Sequence, residues 1–370
     1  MHPSQPTAPT GPFALRRLGV LMRPEPGLAQ EEWGVLNPGA ARGPDGTLHL
    51  FPRLVAAGNR SAIGRAVVVH DASGDPVSVR RLGLALSPQE EWERSGDRLA
   101  GVEDPRVTRL AEAGLWVMTY TALGPFGPRA ALAVSTDLES WRRLGPVSFR
   151  YEPELGADFN LYPNKDLAFF PEPVTAPDGS RCFAMLHRPF YDLWSVVPQA
   201  PTVLPRGITD DRPSIWVSYV PVEEVLADPR CLARLGQHRV VAHPLHDWER
   251  TKIGAGPAPL RVPEGWLLVH HGVTGPKSYD WPQPGVCYRA GAMLLDARDV
   301  TRVLWRSPVP LLEPEEPEET EGIVPRVVFP TALDERPDGE VDVFYGMADD
   351  KIGVARLSRT TAPLPTEVRP

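Results

Sequence analysis

PRVTRL (105–110), AEAG (111–114), LWVMTYTA (115–122) and RAALAVSTD (129–137) form the stretch whose reading decides the fold. Its apolar runs are short, rich in Val, Leu, Trp and Tyr, and bounded by Gly, Pro and acidic residues, which is the signature of successive strands joined by tight turns. The scheme of a first strand, a polar turn, a stronger second strand and a third strand recurs. It reappears as DLAFFP, CFAMLHRP and SIWVSYV (166–220), and as TLHLFPRLV with IGRAVVVHD (47–71). APLRV, GWLLVHHGV and YRAGAMLLD (258–296) give another copy, and RVVFPTAL, EVDVFYGMAD and IGVARL (326–357) the last. The second strands centre on His49, Val117, Ala184, Leu268 and Val343, a spacing of about 70 residues. Five such sheets make an all-β chain and suggest a five-bladed β-propeller; on pattern alone a β-sandwich or a pair of smaller β domains stays open.

Composition agrees. The 370 residues include 44 prolines, which excludes a mainly helical fold because proline removes a donor and clashes inside helices. The one helical excursion expected is Pro221–Gly236, broken near Pro229. Thirty-nine basic against 47 acidic residues give a net charge of −8, which argues against nucleic-acid or anionic-membrane partners but leaves room for a local anion site. Only four of the basic residues are lysines (Lys165, Lys252, Lys277, Lys351). Three widely spaced cysteines, Cys182, Cys231 and Cys287, suit reduced thiols. With no signal-peptide pattern at the start and no spanning apolar run, the expected location is the cytoplasm. The chain divides into an N-terminal extension (1–25), a single catalytic domain (26–360) and a tail (361–370).

In a propeller the innermost strands line a central channel, so polar groups at one point of successive units converge. The first strands open with Asn37-Pro38, Glu103-Asp104-Pro105-Arg106, Asn164-Lys165-Asp166, Gly254-Ala255-Gly256-Pro257 and Pro325-Arg326. At or after the second strands stand Arg53, Thr121, His187-Arg188-Pro189, His270-His271 and Asp349-Asp350. Each is ordinary beside a turn; their registration points to one shared site.

These residues carry a resemblance. GVEDPR (101–106), NKD (164–166) followed by FFPE, LHRP (186–189), KIGAGPAPL (252–260), GWLLVHHGV (265–273), YRAGAMLLD (288–296), EGIVPRVVFPTAL (321–333) and FYGMADDKI (344–352) resemble the mannoside phosphorylases of glycoside hydrolase family 130, over about residues 37–357. The resemblance implies a five-bladed propeller that cleaves β-1,2- or β-1,4-linked mannosides with inorganic phosphate, inverting the anomeric centre to give α-mannose 1-phosphate. It makes Asp104 the general acid, acting on the leaving oxygen through a sugar hydroxyl. It makes Lys165, Arg188, Lys252 and His271 the phosphate site. Asn37, Arg53, Glu103, Asp166 and Asp349 are then the substrate-binding set.

Inverting hydrolysis needs two carboxylates, one as acid and one to activate water. Phosphate is already an anionic nucleophile, so one acid and several cations suffice. No metal or organic cofactor is implied: the His270-His271 pair lacks further ligands at familiar spacing, and alternation sends the two rings to opposite faces. His187 fills a polar gap beside Arg188. Trp116 and Trp266 read as core, whereas Trp194 and Trp281 lie in the long insertions Pro189–Asp211 and Thr274–Gly285, where a leaving-group subsite is expected. The partners are an oligosaccharide and phosphate, with homo-oligomerisation left open. Two rival functions are a water-using β-mannosidase in the same fold, with Glu319, Glu321 or Asp166 as base, and a non-catalytic carbohydrate-binding propeller.

Overall fold

The computed structural model describes residues 11–95, 100–192, 202–276 and 285–362, and these are dominated by β-strands. The deciding stretch forms antiparallel strands Ala100–Leu110, Leu115–Gly124 and Gly127–Ser135, with Arg142–Pro146 added outside. The preceding unit, Gly34–Arg42, Leu48–Ala56, Arg60–His70 and Pro76–Leu86, has the same order. The two share an eight-stranded sheet only through a two-residue parallel contact of Arg60 and Ser61 with Ala100 and Gly101. Six-stranded, five-stranded and four-stranded sheets follow along the chain.

The last sheet corrects one expectation. Its outermost strand is Phe13–Met22, paired antiparallel to Lys351–Arg359, so this part of the region read as an N-terminal extension (1–25) is built into the fold. Without it, Lys351–Arg359 would present an unpaired row of N–H and C=O groups. The expected tail, 361–370, lies outside the described residues apart from Thr361 and Ala362. The helical excursion is Val222–Ala227 followed by a tight turn at Pro229–Ala233; Arg234 to Gly236 belong to the next strand instead. Asp228 separates the two pieces in an extended conformation, as a residue before proline prefers.

The apolar faces pack sheet to sheet around a ring. Phe51 and Ile63 meet Val102, Met118 and Tyr120. Leu115, Val117 and Leu132 meet Phe169, Phe183 and Trp216, and Leu186 and Val217 meet Leu268 and Met293. Leu267 and Leu294 then meet Val343 and Leu357, and Leu21, Phe344 and Ile352 return to Val35, Leu50 and Leu54 of the first unit. Inner strands are therefore covered on both sides and face a common axis.

A polar device repeats beside this core. Glu31, Glu93, Glu249 and Glu319, each at most 1% exposed, are each the third residue of a short helical turn. Each is held by an arginine of an outermost strand: Arg81, Arg143, Arg306 and Arg17, with Nε–Oε1 distances of 2.8–3.0 Å. Glu93, Glu249 and Glu319 also bond Tyr120, His270 and Tyr345 of the second strands. Removing the cation strands a buried carboxylate. Arg17→Ala should therefore lower the unfolding free energy by roughly 3 kcal/mol in urea melts. Arg16→Ala, exposed on the same strand, should change it by less than about 0.5 kcal/mol.

Candidate active site

Three candidate residues owe their position to one strand irregularity. In three successive units the inner ladder slips at the same place, so that Asn37-Pro38 faces Pro52, Asp104-Pro105 faces Tyr120, and Asp166-Leu167 faces His187. Asn37, Asp104 and Asp166 take φ angles of 43°, 49° and 58°. Asn and Asp tolerate this left-handed region better than other side chains, and such a bulge re-aims the residue that carries it. All three are buried.

Around Asp104 the contacts form one cluster. Its Oδ1 accepts hydrogen bonds from Asn37 Nδ2 at 2.8 Å and Arg53 Nη1 at 3.1 Å. Arg53 also donates from Nη2 to Glu103 Oε1 at 2.8 Å and from Nε to Ser61 Oγ at 2.9 Å. Lys165 Nζ donates to Glu103 Oε2 at 3.0 Å, so this lysine is paired with a carboxylate. Asp166 centres a second cluster. Its Oδ2 accepts from Arg188 Nε at 2.5 Å and lies 3.3 Å from His271 Nε2, and its Oδ1 is 3.4 Å from Arg106 Nη2. Gly254 leaves the space for this: a Cβ there would stand 2.1 Å from Asp166 Oδ2 and 2.5 Å from His271 Cε1.

Arg106 ties the clusters together. Besides reaching Asp166, it donates to the carbonyls of Asp104, Ala255 and Gly256 at 3.2, 3.2 and 2.7 Å. The sequence reading quoted Arg106 within its motif without giving it a part; its position two residues beyond an Asp-Pro bulge was the available signal. Pro325-Arg326, matched by sequence to the same register, stands elsewhere: Arg326 is exposed. Trp194 and Trp281 lie outside the described residues. His270 points away from Asp166, with Nε2 2.8 Å from Glu249 Oε1, as strand alternation requires.

Burial and charge set the protonation states. Burial pushes the Asp104 carboxyl up, but Arg53, Lys165, Asn37 and Arg106 together hold it below its ordinary range. Burial likewise opposes ionisation of Asp166, yet Arg188, His271 and Arg106 hold it well below that range. Burial lowers His271 to about 4, so its ring is neutral at pH 7. Burial, reinforced by Arg188, lowers Lys252 to about 7. Asp349 is raised to about 7 by burial and by the neighbouring Asp104 and Glu103 charges, against Arg53 and Lys165.

The outcome is an excess of cations. Glu103, Asp104 and Asp166 are met by Arg53, Arg106, Lys165 and Arg188. Lys252 Nζ has no carboxylate partner among the described residues and lies 5.3 Å from the Tyr288 ring and 6.0 Å from that of Phe190. Arg188 Nη1 is buried with no hydrogen-bond partner among the described residues. An anion beside Arg188 and Lys252 would meet both unused donors.

The model of a family described as β-1,4-mannooligosaccharide phosphorylase matches residues 17–200 and 208–361. The chain belongs to glycoside hydrolase family 130. It is 29% identical to a 1,2-β-oligomannan phosphorylase of Thermoanaerobacter sp. (strain X514), over 89% of this chain and 92% of that one. It is 30% identical to a β-1,2-mannobiose phosphorylase of the same organism, over 81% and 78%. Its fold is similar, with a TM-score of 0.69, 21% identity and 95% of each chain covered, to a family 130 structure described as among glycoside hydrolases that target β-1,2 mannosidic linkages in Candida mannan. Family 130 thus contains both reactions that the sequence left in competition.

Lys252 offers a test of the site's electrostatics. A lysine whose folded value is depressed destabilises the fold fully below that value, and the penalty fades as pH rises from about 7 towards the ordinary 10.5. Lys252→Met should therefore melt at a higher temperature than wild type at pH 6. The difference should shrink steadily between pH 7 and 10, as followed by calorimetry.

Proposed function

We propose that this family 130 member is an inverting β-mannoside phosphorylase, acting on β-1,2- or β-1,4-linked manno-oligosaccharides with inorganic phosphate. One observation carries the reading: the cationic excess beside Asp104, with Arg188 Nη1 and Lys252 Nζ unclaimed. Burying a phosphate next to carboxylates is unfavourable without such compensation. A phosphate oxygen attacks the anomeric carbon while the bond from that carbon to the leaving oxygen breaks. Asp104 supplies the proton through a sugar hydroxyl, and the products are α-mannose 1-phosphate and the shortened sugar. Asn37, Arg53, Glu103, Asp166 and Asp349 bind and orient the mannosyl unit and the charged groups; Lys165 and the neutral ring of His271 complete the phosphate side.

Asp104 is held ionised by its cations in the free site, whereas a general acid must carry a proton. Phosphate resolves this, because an anion among those cations weakens their pull on Asp104. The reaction needs no metal or organic cofactor.

Hydrolysis would need a free base. Of its three candidates, Glu319 is buried between Arg17 and Tyr345, Asp166 is held by Arg188 and Arg106, and Glu321 is exposed. A mere binder would have no use for an acid beside spare cations.

The ring of sheets, with the eight-stranded one divided at its parallel contact, is read as a five-bladed β-propeller, and residues 26–360 with strand Phe13–Met22 as one catalytic domain. The three cysteines are unpaired, which supports a reducing cytoplasm. Among the described residues no helix is long and apolar enough to cross a membrane.

Asp104→Asn should stay folded and lose about 10²–10⁴-fold in turnover. Replacing Arg188 or Lys252 by Ala should raise the phosphate requirement far more than that for mannoside, and synthesis from α-mannose 1-phosphate should fail in parallel. Activity at saturating mannoside should fall as pH rises past about 7, where Lys252 loses its charge and Asp349 its proton. A phosphate requirement unchanged in both cation variants would overturn the assignment.

A further inference from the structure

Behind Arg188 runs a buried hydrogen-bonded chain that no step above uses. The Arg188 backbone N–H donates to Asn164 Oδ1 at 3.1 Å, and Asn164 Nδ2 stands 3.0 Å from His187 Nδ1. His187 Nε2 is 2.8 Å from Ser218 Oγ, which is 2.7 Å from His238 Nδ1. His238 Nε2 ends the chain 2.8 Å from the Arg150 carbonyl. Asn164, His187, Ser218 and His238 are at most 2% exposed. Rings of Phe149 and Phe159 enclose both imidazoles, with centroids 4.8–5.8 Å away.

The two ends fix every proton. A backbone N–H can only donate, so the Asn164 amide must turn its oxygen to Arg188 and its NH₂ to His187. His187 is then bare at Nδ1 and protonated at Nε2, the Ser218 hydroxyl donates its hydrogen bond to a bare His238 Nδ1, and His238 is protonated at Nε2. The far end demands the same direction, because the Arg150 carbonyl can only accept. Every internal group donates once and accepts once along the chain, and both rings are neutral, in keeping with the lowering of each by burial.

We propose that His187 is a positioning residue for Arg188: by accepting from Asn164 it locks the amide that holds the Arg188 backbone, and so places the guanidinium that meets the anion. The need is local. Asn164 pairs with Pro189, which has no N–H, and the ladder slips at Asp166, so the Arg188 N–H at this point is held by a side chain. If His187 carried its proton on Nδ1 instead, two donors would face each other at Asn164, and turning the amide would set its NH₂ against the Arg188 N–H.

The proposal rests on the phosphorylase reading, with Arg188 as an anion contact, and two measurements test it separately from that reading. In ¹⁵N spectra of the wild-type protein at pH 7, His187 and His238 should each show a bare Nδ1 and a protonated Nε2; a protonated Nδ1 on His187 overturns the proposal without any variant being made. His187→Leu should raise the KM for phosphate about tenfold, the range controlled by one neutral hydrogen bond, with a smaller change in kcat. His187→Asn, whose Oδ1 can still accept from Asn164, should recover most of that loss although it too gives up the Ser218 contact. Equal effects on phosphate KM in the Leu and Asn variants would reduce His187 to a packing residue. A wild type indifferent to phosphate would instead overturn the phosphorylase reading, and the positioning role with it, while leaving the tautomers as read.

Discussion

A carboxylate taken out of water must be met by a cation, and the axial end of this fold is organised by that requirement. Asp104 and Asp166 are placed by bulges where side chains converge, and Glu103 stands beside them. Left alone, each would protonate or unfold its surroundings. Arg53, Lys165, Arg106 and Arg188 keep them in place, and in doing so they set more positive charge around the axis than the carboxylates use. The surplus falls on Arg188 Nη1 and Lys252, beside a neutral histidine and two aromatic rings. On the proposed reading, anion binding is a consequence of how the acid is held.

The same rule, applied away from the axis, builds the scaffold. Four buried glutamates are gripped by arginines from the outermost strands, one of them supplied by Phe13–Met22. That strand joins the first described residues to the last sheet, while its apolar residues Leu21 and Met22 pack with the first unit. Closure leaves the inner strands with covered faces on both sides and polar bulges at one end. A site made from several separate units can then be held without any one loop spanning it.

Much of this was legible in the sequence because strands and turns are local. Runs such as LWVMTYTA and GWLLVHHGV announce themselves by length and flanking glycine, and the all-β class followed. Nine of the ten candidate residues stood at matched places at strand starts and ends, Lys252 came from the family resemblance alone, and the structure gathers them around Asp104 and Asp166. The role of strand 13–22 was hidden because pairing between the two ends of a chain leaves no local trace. Arg106 was passed over because alternation alone does not say where an arginine points once a bulge has shifted the register. The glutamate grips had a faint signal, the near-identical EWER (91–94) and DWER (247–250), but their arginines lie 50 or more residues away. The Asn164–His187–Ser218–His238 chain spans four strands and could be recognised only once they were paired.

The central claim is that the unused cations beside Asp104 hold phosphate as the nucleophile. It is tested most directly by incubating the purified protein with β-1,2- and β-1,4-mannobiose, with and without inorganic phosphate, and following the products by ³¹P NMR. The account predicts α-mannose 1-phosphate in step with substrate loss, and almost no cleavage when phosphate is withheld. Free mannose released at the same rate with and without phosphate would contradict it.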